Sequence, residues 1–380
     1  MNKTNNYVMK KFFFLAVAAV VALAACTKNE VNIPSNKGNE ISYKAVNAKN
    51  TVSKAIIDHS FYAPSDPAFG IWGLYQAESW SANHSDDVWI GTSASAATQI
   101  TYGLDAQSTV GSEAWRNRAS VDYWPLTGSL VFMGYSPYAN VSSKAAISVA
   151  DNKATLTVTN FATTTGSWVD DLMWSDAVEK TKNDTNYSAD GSATKTYDGV
   201  PIVFHHALSQ IAIYAKTDKA YTGYTFTITA LSMTIDDVAT LTVADDLSAD
   251  PIVNWTQPAT DATRTVLSSA SAALTTDFVK QGDSFLVIPQ SLSGNDILTI
   301  TYQVVHNGVT STATKTINLY AGETDPSDDD HDDDDLASFV KNTKYNLNLV
   351  FSLDEILYSP SIAPWEGPSE VEYEVPHDAN

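Results

Sequence analysis

The residue with the most distinctive chemistry is Cys26, the only cysteine among 380 residues. It closes the stretch Leu23-Ala24-Ala25-Cys26, which follows Lys10-Lys11 and an apolar run of 14 residues from Phe12 to Ala25. That run is too short to span a bilayer as a resident helix, and its basic start and small-residue end have the form of a secretory signal peptide. Small residues before a cysteine form a bacterial lipobox, in which the thiol receives diacylglycerol. The spacing therefore predicts a signal peptide over 1–25, a lipidated tether over 26–40, and attachment to the outer membrane through Cys26. With that thiol committed to lipid, the mature chain has no disulfide and must be held by its core alone.

The second concentration of chemical groups is Asp328-Asp329-Asp330-His331-Asp332-Asp333-Asp334-Asp335. Calcium takes six to eight oxygen ligands, so Asp328, Asp330 and Asp332 form a weak calcium candidate. The run lacks the glycine and ligand spacing of an EF-hand loop, and so many like charges repel and stay extended. An acidic hairpin insertion over 323–335 is the favoured reading, with no metal site assigned. His205 and His206 are adjacent on an expected strand, so their side chains point to opposite faces and cannot share one ion. No nucleophile elbow, H-E-x-x-H, P-loop or dinucleotide fingerprint is present; no catalytic residue and no cofactor is expected.

The formal charge of −22 becomes −25 once the signal's Lys3, Lys10 and Lys11 are removed. Such a balance excludes the basic patches that nucleic acid requires and suits a soluble, self-repelling body on a cell surface. The nine tryptophans raise a rival possibility, since aromatic rings are platforms for sugars. Exposure of Trp80, Trp89 and Trp115 on one face would mark a non-polymerising glycan-binding lipoprotein; burial would argue against it.

The elements that must position these groups read as strands. Tyr345, Leu347, Leu349, Phe351 and Leu353 alternate with polar residues, as do Tyr224, Phe226 and Ile228 with threonines. Ile297 to Val305 and Lys315 to Leu319 repeat the pattern. Between Pro201 and Ala215 the apolar parity flips, which a bulge near Ser209-Gln210 or a strand passing between sheets would produce. Thr181 to Thr196 reads as a long polar loop, and no helical periodicity is sustained. Many short strands with Gly, Pro and Asn between them predict an all-β chain, divided into an N-terminal sandwich over 41–198 and a C-terminal sandwich over 199–380.

Several segments, in order, resemble the fimbrillin family of Bacteroidales, the type V pilus subunits and their relatives. They are the lipobox and tether, Ile41-Ser42-Tyr43-Lys44-Ala45-Val46, Thr51-Val52-Ser53-Lys54-Ala55, Phe69 to Tyr75, Tyr123-Trp124-Pro125 leading into Leu130 to Pro137, Val203 to Ser209, Lys344-Tyr345-Asn346-Leu347, and Trp365. The resemblance implies two transthyretin-like antiparallel β-sandwiches in tandem. It also implies a pilus subunit, or an accessory tip or anchor component, that contacts sister subunits by strand exchange and adheres to a host or bacterial surface ligand. In polymerising members a protease removes the first strand together with the lipid, and a neighbour's strand fills the vacated groove. Carried over here, the displaceable strand holds Ile41, Tyr43, Ala45 and Val46, and the cut falls between Lys54 and Ala55, where the family usually has arginine. The tail Glu366 to Asn380, with Val371, Tyr373 and Val375 alternating, reads either as a donor strand or as the last strand of its own sheet.

Overall fold

Alternation of apolar and polar residues, interrupted by turn formers, produces a chain built almost wholly of strands. The computed structural model describes residues 40–47, 68–104, 113–117, 119–163, 171–182, 199–257, 261–320 and 336–363. Cys26, Lys54, Ala55, the acidic run, most of the polar loop, Trp365 and the tail beyond it lie outside the described residues.

The first strands are β1 (Tyr43–Asn47), β2 (Ala68–Gln76), β3 (Val88–Ile90), β4 (Thr98–Leu104), β5 (Glu113–Asn117) and β6 (Ser129–Ser136). There follow β7 (Ala145–Ala150), β8 (Lys153–Ala162), β9 (Met173–Ser175), β10 (Val178–Lys180), β11 (Val200–His206) and β12 (Ser209–Thr217). Next come β13 (Tyr224–Asp236), β14 (Val238–Asp245), β15 (Ile252–Thr256), β16 (Asp261–Leu267), β17 (Val279–Lys280) and β18 (Phe285–Val287). The last are β19 (Gln290–Ser291), β20 (Ile297–His306), β21 (Val309–Asn318), β22 (Ser338–Phe339), β23 (Lys344–Phe351) and β24 (Ile356–Ala363). Two helices of four residues, α1 (Trp80–Asn83) and α2 (Tyr138–Val141), sit in connections.

The largest sheet runs β10-β6-β9-β11-β1-β5-β4-β2-β3, and β2 also pairs with β6 along seven residues. That extra pairing closes β6, β9, β11, β1, β5, β4 and β2 into a ring. Side chains on the ring strands alternate between two cores. Phe69, Ile71, Leu130, Phe132, Met173, Ile202 and Phe204 belong to one. Trp72, Leu74, Val131, Met133, Tyr135 and Trp174 pack instead with Ile147, Leu156, Val158, Leu241 and Val243 from the sheet β15-β14-β8-β7. Strands buried on both faces lose the polar alternation of a solvent-facing strand, which is why β2 and β6 read as near-continuous apolar runs and why every residue of β6 is buried.

A second sandwich encloses its own core between β17-β12-β23-β24, with β18 also on β12, and β16-β13-β20-β21. Ile211, Ile213, Leu347 and Leu349 face Phe226, Ile228, Leu298 and Ile300 across it. The chain passes between the two bodies by very short links. Ala207-Leu208 joins β11 in the ring to β12 in the second sandwich, and Asp237 joins β13 to β14. The parity flip between Pro201 and Ala215 is therefore a strand changing sheets. Leu208 itself is fully buried.

Arg264 of β16 ties these bodies together. Its Nη1 donates to the Leu286 carbonyl at 2.6 Å and its Nη2 to the Thr163 carbonyl, just past β8, at 3.3 Å. The guanidinium also lies over the Phe285 ring at 5.3 Å, and burial lowers its pKa while Asp237 opposes that. A charged donor to buried carbonyls is worth more than a neutral one. Arg264→Met is therefore expected to lower the unfolding free energy by about 2–4 kcal/mol, measured by urea denaturation, and to leave the strand content seen by circular dichroism unchanged.

Candidate functional site: the first strand and the ring it closes

The strand expected over Ile41 to Val46 is paired on both sides. β1 runs parallel to β11 with Tyr43 opposite Val200, Lys44 opposite Pro201, Ala45 opposite Ile202, Val46 opposite Val203 and Asn47 opposite Phe204. On its other side it meets β5 antiparallel, with Tyr43 opposite Trp115 as the paired position. The Val200 amide donates to the Ser42 carbonyl at 2.8 Å, and the Ile41 amide to the Asp122 carbonyl at 2.8 Å.

The inward side chains carry the packing. Ile41, Tyr43 and Ala45 are buried in the same core as Phe69, Phe132 and Phe204. The Tyr43 ring stands edge-on to Phe69 at 6.2 Å and to Phe132 at 6.1 Å, the geometry that aromatic quadrupoles favour. Its hydroxyl donates to Asp122 Oδ2 at 3.0 Å, while Asn117 Nδ2 donates to Asp122 Oδ1 at 3.0 Å. At the strand's start, Arg116 Nη1 donates to Glu40 Oε2 at 3.3 Å, and Glu40 bridges Tyr123. At Gly199 the two backbones approach closely: a Cβ there would stand 2.6 Å from the Tyr43 carbonyl carbon and 2.9 Å from the Ser42 oxygen. Only glycine admits β1 at that distance.

The remaining sequence candidates resolve differently. His205 Nε2 and Asp176 Oδ1 are 2.8 Å apart, and the ring stacks on Trp174 at 4.4 Å. His206 Nδ1 and Asp171 Oδ2 are 2.8 Å apart in a buried setting. The two histidines thus go to separate carboxylates, as opposite strand faces require, and no metal-holding group of three ligands occurs among the described residues. The shared exposed face of Trp80, Trp89 and Trp115 that would mark a glycan-binding surface is not formed. Trp80 and Trp115 are buried in different cores, and of these three Trp89 alone is exposed. Their bulk fills space between sheets that smaller residues would leave empty. Asp122, Arg116 and Gly199 escaped the sequence reading because their roles depend on partners far along the chain; no local spacing signals them.

A family model described as fimbrillin-like matches residues 75–365. No curated protein matches the sequence. Among solved structures, a fimbrial protein from Bacteroides vulgatus is 18% identical with a TM-score of 0.49, over 86% of this chain and 100% of that one. A protein from Bacteroides uniformis assigned to cell adhesion is 17% identical with a TM-score of 0.46, over 88% of this chain and 100% of the other. Another so assigned, from Bacteroides ovatus, is 13% identical with a TM-score of 0.41, over 88% of this chain and 99% of its own.

Two measurements probe how β1 is held. Gly199→Ala is expected to cost about 1–3 kcal/mol through forced overpacking and to speed hydrogen exchange at Ile41 to Asn47 without comparable change in β23. The second concerns Asp122, whose pKa burial raises, with the bonds from Asn117 and Tyr43 pulling the other way. A raised carboxyl favours the fold when protonated, so its contribution is full below the ordinary value of 3.8 and is lost as pH climbs through the folded value. Stability relative to the non-titrating Asp122→Asn should fall across that window and level off above it, as read by urea denaturation at a series of pH values.

Proposed function

Because this chain belongs to the fimbrillin-like family, we propose that it is a fimbrial subunit or accessory component at the cell surface, tethered to the outer membrane by lipid on Cys26 until its first strand is exchanged. The observation carrying this reading is that β1 closes the ring and inserts Ile41, Tyr43 and Ala45 into its core. Each large apolar side chain reburied contributes ~1.5–3 kcal/mol, and each backbone hydrogen bond roughly 0.5–1.5. Against the ~5–15 kcal/mol that holds a domain together, a ring without this strand is poorly stable and presents two open edges. A strand from a sister subunit would meet both needs by β-augmentation.

The position of Lys54 supports the same reading. It lies in the 20-residue connection between Asn47 and Ala68, so a cut between Lys54 and Ala55 would separate β1 from the rest of the chain without breaking any described strand. The long parallel contact with β11 and the short one with β5 make the β5 side the weaker seam. Adhesion to a host or bacterial surface belongs to this proposal as the task of the assembled fibre.

Protein extracted from the cell surface should show Ala55 at its N-terminus on Edman sequencing and a ladder of polymers on an unboiled gel. Lys54→Gln should retain the lipidated form and lose the ladder. Intact, lipidated Cys26 in every wild-type molecule would rule the exchange out.

A further inference from the structure

The segment that receives the start of β1 carries an apolar cap pointing outward. Trp124 and Pro125 are buried, Trp124 lying edge-on to Phe132 at 5.7 Å, and they anchor the loop to the ring core. Next to them Leu126 is 96% exposed, an extreme value for a leucine on an anchored loop. Val121 and Tyr123 are exposed on the same segment, and the indole of Trp89, 48% exposed, donates to the Tyr123 carbonyl at 2.8 Å. Trp89 also packs beside Tyr75 at 5.6 Å, so the aromatic part of the cap is fixed to β2 as well.

We infer that Trp89, Val121, Tyr123 and Leu126 form a membrane-contact surface that rests on lipid while the chain is tethered. The inference stands on the reading of Cys26 as lipid-bearing. Glu40, where the described chain enters the ring, bridges Tyr123 directly. Thirteen residues separate Cys26 from Glu40, and since a chain spans at most roughly 3.6 Å per residue, Glu40 stays within about 50 Å of a lipid on Cys26. The cap thus adjoins the point at which the tether joins the ring. Amphipathic aromatic rings and a projecting leucine are the side chains that settle at a lipid headgroup boundary. Four side chains fall well short of the ~800 Å² per partner of a stable protein interface, but a tether that keeps the local concentration high makes a small contact sufficient. Asp86 and Asp87 lie exposed beside Trp89, and the Arg116 charge is matched by Glu40, so a zwitterionic lipid surface suits this cap better than an anionic one.

The test uses the full chain in phosphatidylcholine vesicles, with a polarity-sensitive fluorophore on Leu126→Cys and, separately, on Val309→Cys, an exposed site at the β20–β21 hairpin. Lipid on Cys26 leaves the introduced thiol as the free one, and mass spectrometry verifies that lipid first. The probe at Leu126→Cys should shift to the blue, brighten severalfold and be quenched by brominated lipid, whereas the probe at Val309→Cys should not respond. Equal, unshifted emission from both sites overturns the surface. Shielding of Leu126→Cys that depends on protein concentration and needs no vesicles also overturns it, assigning the cap to a second copy. If mass spectrometry finds no lipid, the anchoring reading fails on its own. The surface is then judged with a hexahistidine tag in place of residues 1–26 and nickel-chelating lipid in the same vesicles, where the same response of the Leu126→Cys probe supports it and unshifted emission sinks it.

Discussion

A ring of strands has no edges only while every member is present, and β1 is one of its more lightly paired members. Five residues supply the pairing to β11, a single paired position joins β5, and three inward side chains complete a core shared with seven other strands. Removing it would expose apolar surface and leave backbone donors and acceptors without partners on two neighbours at once. The surrounding details answer to that constraint: Gly199 gives the backbones room, Asp122 holds the Tyr43 hydroxyl, and Arg116 pairs with Glu40 where the strand begins. Each acts on β1 from a different segment, so the strand is held by many modest contacts rather than one strong bond.

The same economy governs how the two bodies are joined. Two of the links between the ring side and the second sandwich are of two residues and of one residue, which leaves little slack there. A buried guanidinium bonded to carbonyls past β8 and on β18 reinforces those links close to the Asp237 crossing. Burying a charge is costly unless its donors are met, and Arg264 meets carbonyls on both sides while lying over Phe285. Further bonds run in the same direction: the Trp255 indole donates to the Ala207 carbonyl at 3.1 Å, and the Gln257 amide to the Pro289 carbonyl at 3.1 Å. Strands that serve two cores, such as β2 and β6, extend the rigidity across the ring wall.

Groups that looked chemically suggestive in isolation are mostly used in packing. His205 and His206 each hold their own carboxylate, one against a tryptophan face and the other in the interior. Trp80 and Trp115 fill separate cores. Of the exposed large apolar side chains, Trp89, Val121, Tyr123 and Leu126 gather where the described chain enters the ring, while others, Ile252, Val309 and Ile362 among them, stand elsewhere.

The sequence by itself determined the all-β class, the strands with one buried face, and the family. Those features are local or ordered along the chain: the alternation in Lys344–Phe351 and in Tyr224–Asp236 reports a period of two whatever the partner strand, and the family resemblance rests on short segments in a fixed order. Ile41, Tyr43, Ala45 and Val46 were named as the first strand through the family resemblance, and the structure buries the first three of them. The tertiary structure alone decided that β11 sits parallel beside β1, that β2 closes on β6, and that β14 leaves the second sandwich to pair with β8. It alone decided, too, that Asp122, Gly199 and Arg116 converge on the first strand. Pairing between strands far apart in sequence depends on which surfaces bury best together, and a side chain's local pattern carries no record of its distant partner.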